Sequence, residues 1–365
     1  MITHIDVKNF KSLKNISLNI KGLNVLMGLN GMGKSSLIQT LLLLMQSDKL
    51  EEKVIDLNGL LVQIGQGRDA LYQFSEEDFI SIGLIFNDQN NYKWNFLYEK
   101  DKDKLKAKNG FTNDQMKKFR YYTKGFQYIS AERIGPKDLY DSSSIVVVDK
   151  KQIGLLGEYA AYYINMFGSE YTVQANLRHP KAKSDKLQAQ VNAWLGEISP
   201  GVSLNTKYVL DVNKVILDYQ FDFGNSRTNS FRPKNVGFGI SYVLPIVLAL
   251  LTAEENKIIV IENPESHIHP RGQAELGKLI SLAASTKAQL FIETHSDHII
   301  NGIRVAVKEN LIDKQLVNIL YFDKETTDKE QFTKVKPIKI DSKGELSDYP
   351  NNFLDEWSNQ LLKLV

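Results

Sequence analysis

The sequence predicts an α/β fold: a mixed, largely parallel sheet flanked by helices, with an antiparallel β subdomain and a helical insert. Three observations predict it. A glycine-rich turn lies between a short apolar strand at residues 24–27 and a helical stretch at 34–46. Far downstream, two wholly apolar runs, 258–261 and 290–292, are separated by a helix and each leads into polar residues. Short apolar runs that alternate with helices are the mark of strands buried on both faces. Near the start, paired segments alternate apolar and polar residues, as antiparallel strands with one wet face do.

Composition sets the outer bounds. The chain has 365 residues, of which 42% are hydrophobic and 24% charged, so it can build a full core. It contains no cysteine, which excludes disulfide frameworks, thiolate metal sites and cysteine nucleophiles. A net charge of +2 gives no global pull towards nucleic acid or an anionic membrane, so such a contact needs a local patch. The longest apolar stretch, 243–251, contains Pro245 and is far below the ~18–20 residues that cross a bilayer. The opening residues lack the basic-then-apolar layout of a secretion signal, and a cytoplasmic location is expected.

Taken in order, residues 2–7 and 16–20 form a strand pair, and 80–86 and 92–98 form another across the turn at 87–91. Residues 100–124 carry nine Lys or Arg against three Asp and read as a polar loop or hairpin tip. Phe111, Phe119, Tyr121 and Tyr122 are interleaved with these cations. Rings and cations together suit nucleic acid, although a merely solvated loop is the favoured reading of the charge. Helical periodicity at 155–167 and 186–198 gives a small helical insert, with Trp194 in its core. Then come a helix at 239–251, the strand at 258–261, a helix at 271–284 and the strand at 290–292. Strands at 317–322 and 335–340 follow, and a helix at 352–364 holds Trp357. The expected domains are 1–150, the insert 151–204, 205–330, and a C-terminal module 331–365.

The strongest chemical signal is Gly28-Leu29-Asn30-Gly31-Met32-Gly33-Lys34-Ser35, with Ser36 following. It fits the phosphate-loop pattern between a strand and a helix. Glycines let backbone N–H groups turn onto phosphate oxygens, and the helix adds its positive N-terminus. Lys34 would reach the β- and γ-phosphates and Ser35 would ligate Mg²⁺. A nucleoside triphosphate is expected. Downstream, Glu262 ends an apolar strand, where an acid can hold the metal. Asn263-Pro264-Glu265-Ser266-His267-Ile268-His269-Pro270 continues it, and the next strand leads to Glu293-Thr294-His295-Ser296. Glu293, His295, Asp297 and His298 also approach a dinuclear metallohydrolase layout, but the phosphate loop already explains polar groups at these strand ends.

These pieces resemble the ABC-type P-loop ATPases of the SMC, RecF and overcoming-lysogenization-defect kind. Asn9-Phe10-Lys11-Ser12 looks like their opening strand pair, Ile258 to Pro270 like their second acidic motif, and His295 like their switch histidine. Asn235-Val236-Gly237-Phe238-Gly239-Ile240-Ser241 resembles their signature segment, though a plain glycine-containing helix entry would read the same way. Gly344-Glu345-Leu346-Ser347-Asp348-Tyr349-Pro350 with Phe353-Leu354-Asp355-Glu356 resembles a small C-terminal module of bacterial ATPases found in anti-phage systems, Septu-like ones among them. Ser130-Ala131-Glu132-Arg133-Ile134-Gly135-Pro136 is the loose match in the middle.

The resemblance implies an ATP-sandwiched dimer, with Gly237, Gly239 and Ser241 of one copy capping the nucleotide of another. It also implies Mg²⁺ on Ser35 and Glu262, His295 as the γ-phosphate sensor, and Gln63 or Gln66 as the glutamine next to the metal. Such ATPases carry a second acid where this chain has Asn263. An amide cannot take a proton from water, so the base is expected at Glu265, or turnover is slow. Arg133 bridges nucleotide to core or sits in a structural ion pair. Because no second catalytic domain is visible, the effector of a defence system, a nuclease, would be a separate protein. The alternatives are a DNA-repair ATPase that grips duplex DNA through 100–124 and a non-hydrolysing ATP-bound scaffold.

Overall fold

The computed structural model describes residues 1–47, 49–350, 353 and 360–364. Two compact units partition the chain: 1–126 with 315–341 and 345–365, and 127–314 with 342–344.

The first unit opens with β1 (Ile2–Phe10), β2 (Leu13–Asn19) and β3 (Leu23–Met27), followed by α1 (Lys34–Gln46). Short β4 (Val54–Asp56) and α2 (Gly67–Ala70) lead to β5 (Phe79–Phe86), β6 (Asn91–Leu97), β7 (Lys104–Lys106) and α3 (Asn113–Thr123). An antiparallel sheet runs in the order β2-β1-β5-β6. Alternation drives it: in β1, Ile5 and Val7 are buried while the residues between them are half-buried. β3 instead is buried along its whole length, as a central strand must be.

The stretch 100–124 corrects the sequence expectation of a loop. It holds β7 and the eleven-residue α3, whose Thr112 hydroxyl accepts from the Gln115 amide while Gln115 returns a bond to Thr112. Met116 and Phe119 are buried. Phe119 packs on Tyr92 and Trp94, Phe111 on Trp94, and Tyr122 stacks on Phe86 at 4.4 Å. Only Tyr121 of the four rings is exposed, at 72%. Lys104, Lys118 and Arg120 pair with Asp56, Asp88 and Glu51 at 3.0, 2.9 and 2.9 Å. Three of the four rings thus pack inside the first unit, and Tyr121 alone of them stays exposed.

The second unit contains β8 (Gln127–Ile129), β9 (Tyr140–Asp141), α4 (Ala160–Phe167) and α5 (Leu187–Ile198). It continues with β10 (Val202–Val209), β11 (Lys214–Phe223), β12 (Ser226–Arg227), α6 (Phe238–Leu251), β13 (Ile258–Glu262), α7 (Pro270–Ala284), β14 (Gln289–Glu293) and α8 (Asp297–Lys308). β13 pairs in parallel with both β14 and β8, which sets Glu262 beside Glu293. The β10–β11 hairpin was not anticipated from sequence. Trp194 is buried and donates to the Leu177 carbonyl at 3.0 Å. α7 and α8 approach so closely that a Cβ on Gly302 would meet the Ala274 carbonyl oxygen at 2.1 Å.

β15 (Val317–Thr326) and β16 (Gln331–Ile338) complete the first unit. β15 runs parallel to β3, with Leu320 opposite Leu26, and antiparallel to β16. Phe353 is buried against Tyr321. Of the expected helix at 352–364, residues 352 and 354–359 lie outside the described residues, Leu354, Asp355, Glu356 and Trp357 among them, while 360–362 are helical. Among the described residues, no helix is long and apolar enough to cross a membrane.

Candidate nucleotide site

In the first unit the glycine-rich loop leaves β3 and enters α1. Gly28, Gly31 and Gly33 hold φ values of +133°, +76° and +101°, which L side chains rarely adopt. A Cβ on Gly28 would lie 2.2 Å from the Phe322 carbonyl oxygen, and one on Gly33 would lie 2.3 Å from Thr333 Oγ1. The loop is thus pinned by β15 and β16. Thr333 Oγ1 donates to the Met32 carbonyl at 2.9 Å and lies 2.8 Å from Ser12 Oγ. Thr333 and Ser12 had no assigned role in the sequence; only their long-range contact with the loop reveals one.

Lys34 is buried, and its ammonium donates to the carbonyls of Gly28 and Leu29 at 2.8 and 2.9 Å. Asn30, Gly31 and Ser35 are exposed, and Met32, Gly33 and Ser36 half-buried. α1 has no acidic residue in its own first turn, which leaves its positive end suited to an anion. The donor set and the side-chain-free cradle fit a polyphosphate. Beside Gly31 a cleft of about 310 Å³ is lined by Lys11, Arg68, Tyr72 and Phe332 among others. Gln66 is half-buried with its Oε1 unpartnered, while Gln63 is exposed.

In the second unit the acids stand at the C-terminal ends of parallel strands. Glu262 Oε2 accepts from the Tyr128 hydroxyl at 2.9 Å and the Ala131 amide at 3.4 Å. Burial dominates and raises the Glu262 pKa, opposed by those two donors and by Arg133. Arg133 is anchored on backbone carbonyls. It is buried, donates to the carbonyls of Ser130, Glu262 and Asn263 at 2.9, 2.7 and 2.7 Å, and lies 5.3 Å from the Tyr242 ring centroid. Burial lowers its pKa to about 10, which leaves it charged at neutral pH. Tyr128, on Glu262, is a residue that the sequence reading missed; a lone tyrosine in a short strand carries no signal of its own.

Asn263 takes a left-handed φ of +44°, donates its N–H to the Glu293 carbonyl at 2.9 Å, and keeps a buried Oδ1 without partner. Glu265 is held differently. Its Oε2 accepts from the Thr294 hydroxyl at 2.7 Å and its Oε1 from the His295 amide at 2.8 Å. His295 is exposed. The structure therefore brings Glu265, Thr294 and His295 together at the ends of β13 and β14. Asp297 and His298 instead start α8, whose cap is Ser296.

The signature-like segment forms the entry to α6. Gly237 is exposed with open space around its Cβ position, whereas a Cβ on Gly239 would meet the His267 carbonyl oxygen at 2.2 Å. Ser241 is buried, 6% exposed, so its side chain does not face solvent. Phe238 is exposed and packs on Tyr242 and His267.

Sequence-family comparison agrees with the chemistry. Residues 1–151 match an AAA ATPase domain. Residues 173–301 match a family described as AAA domain, putative AbiEii toxin, Type IV TA system. Residues 312–364 match a domain described as protein of unknown function DUF3696. No curated protein matches the chain. Among solved structures, the SMC head domain from Pyrococcus furiosus bound to the C-terminal domain of ScpA is similar, with 10% identity and a TM-score of 0.52. That match covers 100% of this chain and 99% of the other. An SMC head bound to the C-winged helix domain of ScpA shares 12% identity over 93% and 98% of the chains, with a TM-score of 0.48. The SMC head domain from Thermotoga maritima shares 11% over 93% and 99%, with a TM-score of 0.46. The chain thus carries a phosphate loop inside a region that matches an AAA ATPase domain, in a mixed α/β fold similar to that of an SMC head.

Proposed function

We propose that this chain binds Mg²⁺–ATP and hydrolyses it slowly, as a nucleotide-driven switch. The observation that carries the reading is the grip of Thr294 and His295 on the Glu265 carboxylate. An acid is thereby oriented next to the histidine loop although Asn263 has displaced the usual one. The loop amides of residues 30–36 would bind the phosphates, and Lys34 would neutralise charge on the leaving ADP. Ser35 and Glu262 would hold Mg²⁺, which when bound offsets charge on the phosphate oxygens. Water attacks the γ-phosphorus, the bond to the bridging oxygen breaks, and Glu265 accepts the water proton. His295 would sense the γ-phosphate.

The same reading places Gly237 and Gly239 of a second copy over the nucleotide, in an ATP-sandwiched dimer. The biological role we infer is that of a cytoplasmic sensor subunit in bacterial anti-phage defence, acting on a separate nuclease effector. The putative toxin family matched by residues 173–301 supports a defence context. The paired cations and packed rings of 100–124 weigh against duplex DNA as the partner.

Single-turnover hydrolysis of labelled ATP tests this, with binding measured alongside. Glu265→Gln is expected to keep binding and lose about 10²-fold or more in rate, and Lys34→Ala to lose both. Tight binding with no turnover in the native dimer would replace the switch by a scaffold.

A further inference from the structure

The β15–β16 hairpin hydrogen-bonds to the phosphate loop through the side chain of Thr333, and every group concerned lies within the first unit. Thr333 is buried. Its backbone N–H donates to the Ser12 carbonyl at 2.8 Å, and its hydroxyl donates to the Met32 carbonyl at 2.9 Å. A hydroxyl has a single proton, so in the 2.8 Å contact between the two hydroxyls Ser12 donates and Thr333 accepts. Ser12 thus aims the Thr333 proton at Met32. The end of the hairpin is tied down separately. Glu330 pairs with Lys14, and the Tyr72 hydroxyl lies 3.0 Å from the Glu330 carboxylate and 3.1 Å from the Gln331 carbonyl.

The Met32 carbonyl is one half of a peptide unit whose other half is the Gly33 N–H. In a planar trans peptide these two groups point in opposite directions. A carbonyl turned outward onto the hairpin therefore turns the Gly33 N–H to the other side of the loop. Left alone, this peptide would have little to hold it. Gly31 and Gly33 flank Met32 at φ of +76° and +101°, and glycine populates both signs of φ. A flipped plane would present a carbonyl oxygen, not an N–H, to a phosphate. Glycine is also what lets the tether form, because a Cβ on Gly33 would lie 2.3 Å from Thr333 Oγ1.

We propose that Thr333 is a positioning residue of the nucleotide site, whose hydroxyl holds the 32–33 peptide so that the Gly33 amide faces the phosphates. The proposal rests on the ATP reading above and deepens it. Thr333 lies in the segment 312–364 that matches a domain of unknown function, and that segment thereby gains a part in nucleotide affinity. The tether acts on a backbone donor of the loop before any ligand arrives, so it strengthens binding by preorganisation. Its effect falls on the polyphosphate and not on the base or ribose.

Isothermal titration of the full chain with Mg²⁺–ATP and with Mg²⁺–tripolyphosphate tests this. Thr333→Val keeps the shape of the side chain and removes the hydroxyl. It should weaken both ligands by the same factor, about tenfold, the scale of one misdirected hydrogen bond to a charged group. Thr333→Ser keeps the hydroxyl and should bind both within about twofold of the native chain. Where the valine variant fails to fold, Thr333→Ala replaces it with the same expectation. Native affinities in the valine variant would overturn the proposal even with a lowered unfolding temperature, because Thr333 would then only brace the fold. Weakening confined to ATP overturns it as well, since the hairpin would then act on base or ribose. A native chain that binds neither ligand overturns the ATP reading itself, and this proposal with it.

Discussion

Asn263 leaves β13 in a left-handed conformation that asparagine tolerates better than most residues, and its side-chain oxygen is buried without a partner. An acid placed there would put a second carboxylate next in sequence to half-buried Glu262, without the Thr294 and His295 donors that hold Glu265. Asn263→Asp is therefore expected to leave single-turnover hydrolysis no faster. It should lower stability by about 1–3 kcal/mol, the cost of an unpaired buried polar or charged group, as read by denaturant midpoints. Thr294→Val removes one of the two bonds that orient Glu265. It should cut hydrolysis about tenfold with ATP affinity unchanged, which separates orientation from binding. The phosphate loop was legible because its chemistry is carried by backbone amides and a fixed glycine spacing. Tyr128 and the partners of Arg133 were not, because their roles are bonds to carbonyls and a carboxylate far along the chain.

At the scale of elements, the misread stretch 100–124 contained a usable signal. Thr112 and Gln115 stand at the spacing of a capping box, and Met116 and Phe119 recur on one helix face. Charge density concealed them, since most of the lysines sit on the wet face. The strands around the acids were legible as continuous apolar runs, but their spacing to neighbours was not. Gly302 shows why. Alanine normally stabilises a helix interior over glycine by about 1 kcal/mol, yet here its Cβ would press on the α7 backbone. Gly302→Ala is expected to cost about 2–3 kcal/mol by overpacking, whereas Gly196→Ala in α5 should be neutral or stabilising. Urea midpoints of the two variants decide it.

Lys257, just before β13, is buried and donates to the Thr252 carbonyl and hydroxyl at 3.1 and 3.3 Å. Burial lowers its pKa to about 8. The native state then holds this proton less tightly than the unfolded chain does. The penalty is full below pH 8 and fades as pH rises towards the unfolded value near 10.5. Lys257→Met should thus raise stability by about 1–3 kcal/mol near neutral pH, net of the lost hydrogen bonds. The gain should shrink in melts at higher pH.

For the whole molecule, local patterns located the strands, but pairing required contacts across most of the chain. β3 finds β15 nearly 300 residues later, and the first unit is assembled from separated segments. No periodicity reports such a partner. The proposed dimer is a symmetry argument of the same long reach. In a twofold sandwich each nucleotide takes its phosphate loop from one copy and its signature segment from the other. Lys34→Ala and Gly237→Glu should then each be inactive alone. Gly237 is exposed with free space at its Cβ position, so the added carboxylate leaves the fold intact and repels the γ-phosphate. In a mixed dimer both defects fall on one site and the other site is native. Equal mixing makes about half the dimers mixed, each with one working site, so activity should return to roughly a quarter of the native rate. A monomeric ATPase, or one whose two defects act in the same chain, would stay inactive at every mixing ratio, and a steady-state ATPase assay across those ratios separates the cases.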